Sequence, residues 1–238
     1  MARDWTRPRF FFMGYDWERK NGPMVLRAFA QLREKFPHAR LDVAGGHPRI
    51  EMDGIVTHGS LDFSEPSDRA QAEALFEKAT CFVMPSKFEP FGMVYVEAAA
   101  AGVPSIGTTV GGARDIIGEG AGLLVDPSDE RALAEAMAAL CDPEIASRMG
   151  NAALERSRHF TWPAVAERIL QVLEPSWNVE RASPGDPTGH RDFATLRDRN
   201  VPDTFRTMRV GARGEHARAR RPGIETMPAW GPSSRSNQ

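Results

Sequence analysis

The residues of this sequence best suited to carry chemistry are Glu89 and Glu97, which stand with seven residues between them. An ionised carboxylate accepts several hydrogen bonds and a vicinal diol offers two donors, so such a pair suits the recognition of hydroxyl groups. A solvated loop glutamate followed by a glutamate on a helix surface would show the same spacing. The spacing alone leaves both interpretations open.

The segments around these glutamates predict a strand, a loop and a helix. The apolar run 81–84 is continuous and ends at a proline, which predicts a short buried strand. The alanine-rich run 92–101 predicts a helix that ends at Gly102. In an open α/β sheet such a helix directs unpaired N–H groups toward the ligand crevice, and Gly92 has no Cβ to keep a phosphate or sugar away. Small side chains let the helix pack tightly, which favours a partly buried role for Glu97.

These segments resemble a known family. The runs Phe-Glu-Pro-Phe-Gly (88–92) and Glu-Ala-Ala-Ala-Ala-Gly-Val-Pro (97–104) are similar to the Glu-x7-Glu motif of retaining glycosyltransferases with the GT-B fold. Within that group they are most similar to family 4, the group 1 glycosyltransferases. The resemblance covers residues 10–173 and implies the C-terminal domain of such an enzyme, which binds the nucleotide-sugar donor.

The resemblance also implies a role for each motif residue. Glu97 would bind the ribose hydroxyls of the donor, and Glu89 would hold the sugar hydroxyls beside the anomeric carbon. Glu89 and Lys20 would be the catalytic residues, with Lys20 stabilising the negative charge that grows on the leaving diphosphate. Three backbone N–H groups would help to orient the sugar and phosphate: those of Phe91, Gly92 and Met93.

A charged pair, Arg19 and Lys20, follows the first predicted strand. Gly14, followed six positions later by Lys20, resembles the Gly-x5-Lys of the family's donor loop. A pyrophosphate needs facing cations, and Arg19 can bind one bidentately while Lys20 acts as a point charge. Tyr15 and Asn21 depart from the commoner arginine and glycine of related loops. A solvated charged loop is the alternative interpretation.

For the reaction, the resemblance implies transfer with retention of anomeric configuration, by front-face attack through an oxocarbenium-like ion pair. It implies no cofactor and no metal, with a UDP-, GDP- or ADP-sugar as donor. The acceptor would be an unknown glycan, lipid or small molecule, and no nucleic-acid partner is expected. Family members place an acceptor-binding domain before this one, and only nine residues precede the first predicted strand here. We therefore expect a truncated chain or fragment that is inactive without a separate acceptor-domain chain.

Strands and helices alternate along the sequence. Strands are predicted at 10–13, 41–44, 53–58, 81–84, 103–107 and 121–125, and helices at 23–36, 69–79, 92–101, 129–140, 144–158 and 162–173. This alternation predicts an α/β fold with a doubly wound, mostly parallel, Rossmann-like sheet, which by the resemblance is one half of a GT-B fold. Residues 126–128 are expected to cap the fourth of these helices, and the glycine-rich loop 108–112 to line the acceptor side of the donor pocket. No Gly-x-Gly-x-x-Gly follows the first strand, which disfavours a nicotinamide dinucleotide domain.

Composition divides the chain near Pro175. Residues 1–9 form a polar lead with no core of their own, and 10–174 form the predicted nucleotide-sugar-binding domain. Residues 175–238 carry eleven arginines, no lysine and seven acidic residues among many prolines and glycines, which predicts a disordered tail. A tail that contacts nucleic acid or an anionic membrane is the alternative, but no basic amphipathic helix is apparent.

No apolar run is long enough to span a bilayer and no secretory leader is present, so we expect a cytoplasmic protein, with a peripheral position at a membrane left open. The isolated Cys81 and Cys141 are interpreted as small buried hydrophobic residues. Three histidines are interpreted as ordinary loop residues: His47, His58 and His159.

Three other functions compete with the glycosyltransferase. A glycoside hydrolase would use Glu89 and Glu97 as acid and nucleophile, but it has no need of a phosphate loop at Arg19 and Lys20. A sugar-nucleotide-binding module without catalysis would keep the same binding residues. A UDP-sugar epimerase of similar architecture is made less attractive by the complete Glu-x7-Glu neighbourhood.

Overall fold

The computed structural model describes residues 3–181, whose central layer is a six-stranded sheet. Its strands are β1 (Arg9–Gly14), β2 (Arg40–Gly45), β3 (Ile55–Thr57), β4 (Cys81–Val83), β5 (Ser105–Thr108) and β6 (Gly122–Val125). Their order is β3-β2-β1-β4-β5-β6, and every neighbouring pair is parallel. The predicted doubly wound α/β fold is confirmed. The strand order reverses between β1 and β4, so the carboxyl ends of these two strands flank the crevice where such folds bind ligands.

Helices cover both faces of the sheet. They are α1 (Gly22–Lys35), α2 (Pro66–Lys78), α3 (Met93–Ala100), α4 (Ala113–Ile117), α5 (Glu130–Ala139), α6 (Pro143–Ser157) and α7 (Trp162–Arg181), with a 3-10 turn (Arg158–Phe160) before α7. Alternate residues of β1 face opposite layers. Phe10 packs edge-to-face on Phe29 of α1, whereas Phe11 packs on Phe76 of α2. The continuous apolar run of β1 is therefore buried on both faces, as parallel sheets require.

The observed elements differ from the predicted ones mainly at their ends. The short helix α4 was not predicted, because five residues are too few to show a helical period. Helix α2 begins at Pro66, three residues before its predicted start at 69, since proline is well suited to a first helical turn. The expected cap at 126–128 is wrong: Asp129 caps α5, and its carboxylate accepts from the N–H of Ala132.

At the two ends of the described part, the lead contacts the core and the last helix extends into the predicted tail. Arg3 donates to the carbonyl oxygens of Ala101 and Gly102 at the end of α3, and Trp5 packs against the core. Helix α7 continues past Pro175 to Arg181, because a proline removes a backbone donor without ending every helix. The rest of the predicted disordered tail, residues 182–238, lies outside the described residues. The domain limits at 9/10 and 174/175 stay predictions.

Two further sequence interpretations can be compared with the structure. Cys81 and Cys141 are buried and unpaired, as interpreted. Burial raises the pKa of both thiols, that of Cys141 to about 12, so neither is a reactive thiolate at neutral pH. In residues 3–181, no helix is long and apolar enough to cross a membrane.

A charged cluster ties β1, β2 and the end of β3 together. Asp42 of β2, whose side chain is 3% exposed, accepts from Arg9 Nε at 2.6 Å and pairs with His58 Nε2 at 2.8 Å. His58 is thus a partner of a buried carboxylate. Gln71 of α2 contacts its other ring nitrogen. Burying a carboxylate is costly unless such partners satisfy it.

We predict that Asp42→Ala destabilises the domain by about 2–4 kcal/mol, because Arg9 and His58 lose the partner for which they were desolvated. Urea unfolding at neutral pH would measure the change. The matched control is Glu135→Ala, which removes an exposed carboxylate paired with Arg131 on α5 and should change the stability little. Equal small losses in both variants would contradict a structural role for Asp42.

Candidate functional site

Two loops meet at the crevice between β1 and β4, and their charged residues form a salt bridge there. The loop after β1 carries Lys20, and the loop after β4 carries Glu89. Lys20 Nζ donates to Glu89 Oε2 at 2.5 Å, and the two side chains are only 14% and 7% exposed. The structure thus brings together, at the point where the strand order reverses, the two residues predicted to be catalytic.

A serine completes the surroundings of the Glu89 carboxylate. The hydroxyl of Ser86, a fully buried residue, donates to the same oxygen, Oε2, at 3.2 Å. Among residues 3–181, no group hydrogen-bonds the other oxygen, Oε1. The Tyr95 hydroxyl supports the loop by donating to the carbonyl of Met84. Burial raises the pKa of Tyr95, so this hydroxyl stays protonated at neutral pH. Glu89 is therefore held through one oxygen and presents the other as an acceptor.

The predicted backbone N–H groups lie in the turn that starts α3. Gly92 is the N-cap residue and has φ +92°, a conformation that side-chain-bearing residues rarely adopt. A Cβ at this position would also lie 2.5 Å from the ring of Tyr95. The side chains of Phe91 and Met93 are exposed on either side of it. The turn between Glu89 and α3 thus has an open surface, and the beginning of the helix adds a partial positive charge to it.

The glycine-rich loop after β5 holds the backbone of Glu89. Gly111 forms an isolated parallel bridge with Glu89, and the N–H of Gly112 donates to the Glu89 carbonyl at 2.8 Å. Gly111 has φ +88°, and a Cβ there would collide with that carbonyl oxygen. The sequence predicted only that this loop lines a pocket, which stays a prediction. Its close approach to Glu89 requires glycine.

Arg19 lies at the rim of the same site. Its guanidinium donates to the carboxylate of Asp16 and to the carbonyl of Phe88, both at 3.1 Å, and its Nη1 is 4.0 Å from Glu89 Oε2. The side chain is 40% exposed. Arg19 therefore joins the loop after β1 to the loop after β4 while keeping solvent access.

Glu97 is placed apart from this pair. It lies on α3 as an exposed residue, and within residues 3–181 it makes no hydrogen bond or ion pair with Lys20 or Glu89. The sequence favoured a partly buried Glu97, whereas the buried residues of α3 include its neighbours Ala98 and Ala99. Partial desolvation still raises the pKa of its carboxyl. Its predicted contact with ribose stays a prediction.

His47 and His159, the other two histidines considered in the sequence, do not contact the Lys20–Glu89 pair. His47 follows β2 and its ring packs edge-to-face on Trp17, while His159 lies in the 3-10 turn after α6. In the part of the chain that the structure describes, no group of three histidine, cysteine or acidic residues is arranged to hold a metal ion.

Sequence reasoning missed the connection that Asn21 makes. It has φ +65°, is 5% exposed, and its side-chain amide donates to the carbonyl oxygens of Pro85 at 3.0 Å and Pro127 at 2.8 Å. The left-handed conformation could have been suspected, because asparagine tolerates it and stands where related loops have glycine. The two acceptors lie 64 and 106 positions away in the sequence, so nothing local identifies them.

Comparison with known proteins agrees with the predicted family and fold. Residues 2–156 match the family described as "Glycosyl transferases group 1", so the chain belongs to this family, as predicted. The D-inositol 3-phosphate glycosyltransferase of Corynebacterium efficiens is 34% identical over 173 residues, which are 67% of this chain and 41% of that protein. Glycogen synthase of Mycobacterium tuberculosis is 34% identical over 165 residues, or 66% of this chain and 40% of that one. The chain therefore spans about two fifths of the length of these relatives.

Solved GT-B glycosyltransferases share the architecture. Sucrose-phosphate synthase from Thermosynechococcus elongatus superimposes with a TM-score of 0.57 at 29% identity, over 74% of this chain and 47% of that one. The pneumococcal O-GlcNAc transferase GtfA, solved in complex with UDP and GlcNAc, gives a TM-score of 0.56 over 73% of this chain and 37% of that chain. At 16% identity, the second likeness concerns the fold alone.

We predict that Gly111→Ala destabilises the domain more than Gly120→Ala does. Both glycines have similar left-handed φ angles, +88° and +80°, so both variants lose about 1–2 kcal/mol for the backbone conformation. A Cβ at Gly111 would collide with the Glu89 carbonyl oxygen, whereas a Cβ at Gly120 meets no atom within 4 Å. The additional loss, about 1–3 kcal/mol of strain, would be measured by urea unfolding. Equal losses of stability in the two variants would show that the backbone around Glu89 accommodates the added Cβ without strain.

Proposed function

We propose that this domain binds a nucleotide-sugar donor in the crevice between β1 and β4 and serves glycosyl transfer from it. The observation that carries the proposal is the ion pair of Lys20 and Glu89, largely withdrawn from solvent at the point where the strand order reverses. A buried ion pair is a poor source of stability, because desolvation offsets its attraction. Such a pair in a ligand crevice is better explained by the groups it presents to a ligand.

In this proposal, cations face the donor's diphosphate. Lys20 supplies a point charge from the loop after β1, and Arg19 supplies a second positive charge at the rim. The N–H groups of Phe91, Gly92 and Met93 lie at the start of α3, where the helix dipole favours an anion. These groups would stabilise the charge that develops on the diphosphate as the glycosyl bond breaks.

Two carboxylates would recognise hydroxyl groups of the donor. Glu89 is held through Oε2 by Lys20 and Ser86, so its Oε1 would accept from a hydroxyl of the transferred sugar. Glu97, being exposed on α3, would accept from the ribose hydroxyls. We propose transfer with retention of configuration by front-face attack, without a metal or a cofactor. The resemblance of residues 89–97 to the Glu-x7-Glu motif of retaining enzymes supports this proposal.

The acceptor would bind to another part of the functional protein. The curated relatives are much longer than this chain, which covers 41% of the first of them. We propose that turnover needs an acceptor-binding domain besides the domain described here, and that this domain alone binds the donor without transferring its sugar. The same coverage supports a second candidate, a sugar-nucleotide-binding module without catalysis. The acceptor would be a glycan, a lipid or a small molecule.

Calorimetric titration of the purified chain with UDP, GDP and ADP tests the proposal. We expect saturable binding of one nucleotide, with the same affinity in EDTA and in magnesium, and weaker binding of the matching nucleoside. A chain shown by circular dichroism to be folded that binds none of the three would overturn the proposed donor site. Binding that requires magnesium would overturn the metal-independent mechanism.

We predict that Lys20→Ala weakens nucleoside diphosphate binding by about 1.5–3 kcal/mol, because a charge-assisted contact with the diphosphate is lost. Nucleoside binding should not change. Lys87→Ala is the matched control, since Lys87 lies on the loop after β4 with a side chain 55% exposed and paired with Glu18. A uniform loss for diphosphate and nucleoside would indicate a disturbed fold and contradict the assigned role.

We predict that Glu97→Ala weakens the nucleoside and the nucleoside diphosphate equally, by about 1–3 kcal/mol, because both carry the ribose. The ionised carboxylate is the better acceptor, and desolvation raises the pKa of Glu97. Wild-type affinity should therefore fall as the pH is lowered through that raised pKa, whereas Glu97→Ala should not show this fall. Calorimetry at several pH values measures both effects. Unchanged affinity in the variant would remove Glu97 from the ribose site.

A further inference from the structure

We propose that Asn21 is a positioning residue that holds Lys20 against Glu89 across the crevice, so that diphosphate recognition depends on its side-chain amide. The inference rests on the proposed donor site. In that proposal, Asn21 contacts neither the phosphate nor the sugar. The sequence showed only that Asn21 departs from the commoner glycine of similar loops, and the inference gives it a role.

The local geometry shows that Asn21 is not used as an ordinary helix cap. Asparagine at an N-cap position normally accepts from a backbone N–H in the first turn through its side-chain oxygen. Asn21 occupies this position at the start of α1, but its side chain makes no capping hydrogen bond. Only its backbone carbonyl does so, accepting from Met24 and Val25. The buried side-chain amide is directed elsewhere.

The amide joins three loops at the carboxyl edge of the sheet. Its Nδ2 has two hydrogens, and the two carbonyl oxygens that accept from it belong to Pro85, after β4, and Pro127, after β6. Asn21 itself belongs to the loop after β1. Because both donors are satisfied inside the protein, the side chain has one orientation that suits all three loops. Loss of the amide would leave the carbonyls of the buried Pro85 and the partly buried Pro127 without this donor.

These contacts close a ring that contains the Lys20–Glu89 pair. Asn21 is bonded to Lys20 along the chain, and Pro85 is bonded to Ser86. Lys20 and Ser86 both donate to Glu89 Oε2, while Asn21 donates to Pro85. The loops after β1 and β4 are therefore joined by the charged pair and by the amide, besides the contacts of Arg19 with the carbonyl of Phe88 and the N–H of Lys87. The amide is the buried connection next to Lys20, and together with the others it fixes the separation and the orientation of the loops, which one ion pair on a flexible lysine cannot do.

The backbone and side-chain roles of Asn21 can be separated by substitution. Asn21→Gly keeps access to the left-handed conformation at φ +65° but removes the amide. Asn21→Asp keeps the size and tolerates the conformation, but it offers no donor to the two carbonyls. If the amide positions Lys20, both variants should show the same defect although their backbone preferences differ.

The first test needs no nucleotide. Reductive methylation of the folded 238-residue chain, followed by mass spectrometry, gives the relative reactivity of each lysine. In Asn21→Gly and Asn21→Asp we expect Lys20 to react several-fold faster, because its side chain is only 14% exposed while the pair is held. Lys35, Lys78 and Lys87 should keep their wild-type rates. A parallel rise at all four lysines would reveal general unfolding, and an unchanged rate at Lys20 would also overturn the proposal.

The second test is a double-mutant cycle on binding of the nucleoside diphosphate that the wild type binds most tightly. Asn21→Gly should weaken this binding about tenfold in the wild-type background and little in the Lys20→Ala background, because its effect passes through Lys20. Nucleoside affinity should not change. Equal losses in both backgrounds would show that Asn21 acts only on general stability. If the wild type binds no nucleotide, the proposed function fails, and the lysine reactivities still decide whether Asn21 positions Lys20.

Discussion

The salt bridge between Lys20 and Glu89 is the interaction around which the described domain is arranged. A parallel sheet whose strand order reverses leaves a gap between the ends of two central strands, here β1 and β4. Placing opposite charges in that gap costs desolvation free energy, which is recovered only when the geometry is good and further hydrogen bonds satisfy the remaining atoms. Ser86 supplies part of that satisfaction by donating to Glu89 Oε2. The Glu89 oxygen that has no partner among residues 3–181, Oε1, is the acceptor that a ligand would meet.

Close approach of backbones makes this geometry attainable. Gly45 is the last residue of β2 and has φ +108°, and the N–H of Gly46 donates to the Gly14 carbonyl at 3.0 Å. Gly111 meets Glu89 in the same way on the other side of the crevice. In both places a side chain would occupy the space of a neighbouring carbonyl. The glycines at the carboxyl ends of the strands therefore act on either side of the charged pair, by letting adjacent loops lie against each other.

Much of the sheet and part of the site could be predicted from the sequence. Continuous apolar runs indicated the strands, and residue chemistry together with the family resemblance singled out Lys20 and Glu89, which the structure joins. Boundaries were less certain, as α2 and α7 show, because a proline can start a helix or stand inside one. The contacts of Asn21 could not be predicted, since they depend on how loops remote in sequence are brought together by the sheet. The sequence left the exposure of Glu97 open, because an alanine-rich helix shows no contrast of polar and apolar positions from which to predict its buried face.

The same geometry separates the competing functions. A glycoside hydrolase needs two carboxyl groups facing each other across the scissile bond. Here Glu89 is engaged by an ammonium group and a hydroxyl, and Glu97 lies on α3 without a contact to it among the described residues. One carboxylate beside a cation instead suits a substrate that carries hydroxyls next to an anion, as a sugar diphosphate does. In the proposed function, the diphosphate would compete with Glu89 for Lys20, so the loops would need a connection that does not depend on that charge. The neutral amide of Asn21 provides one, because its two hydrogen bonds are to carbonyl oxygens that the ligand's charge does not displace.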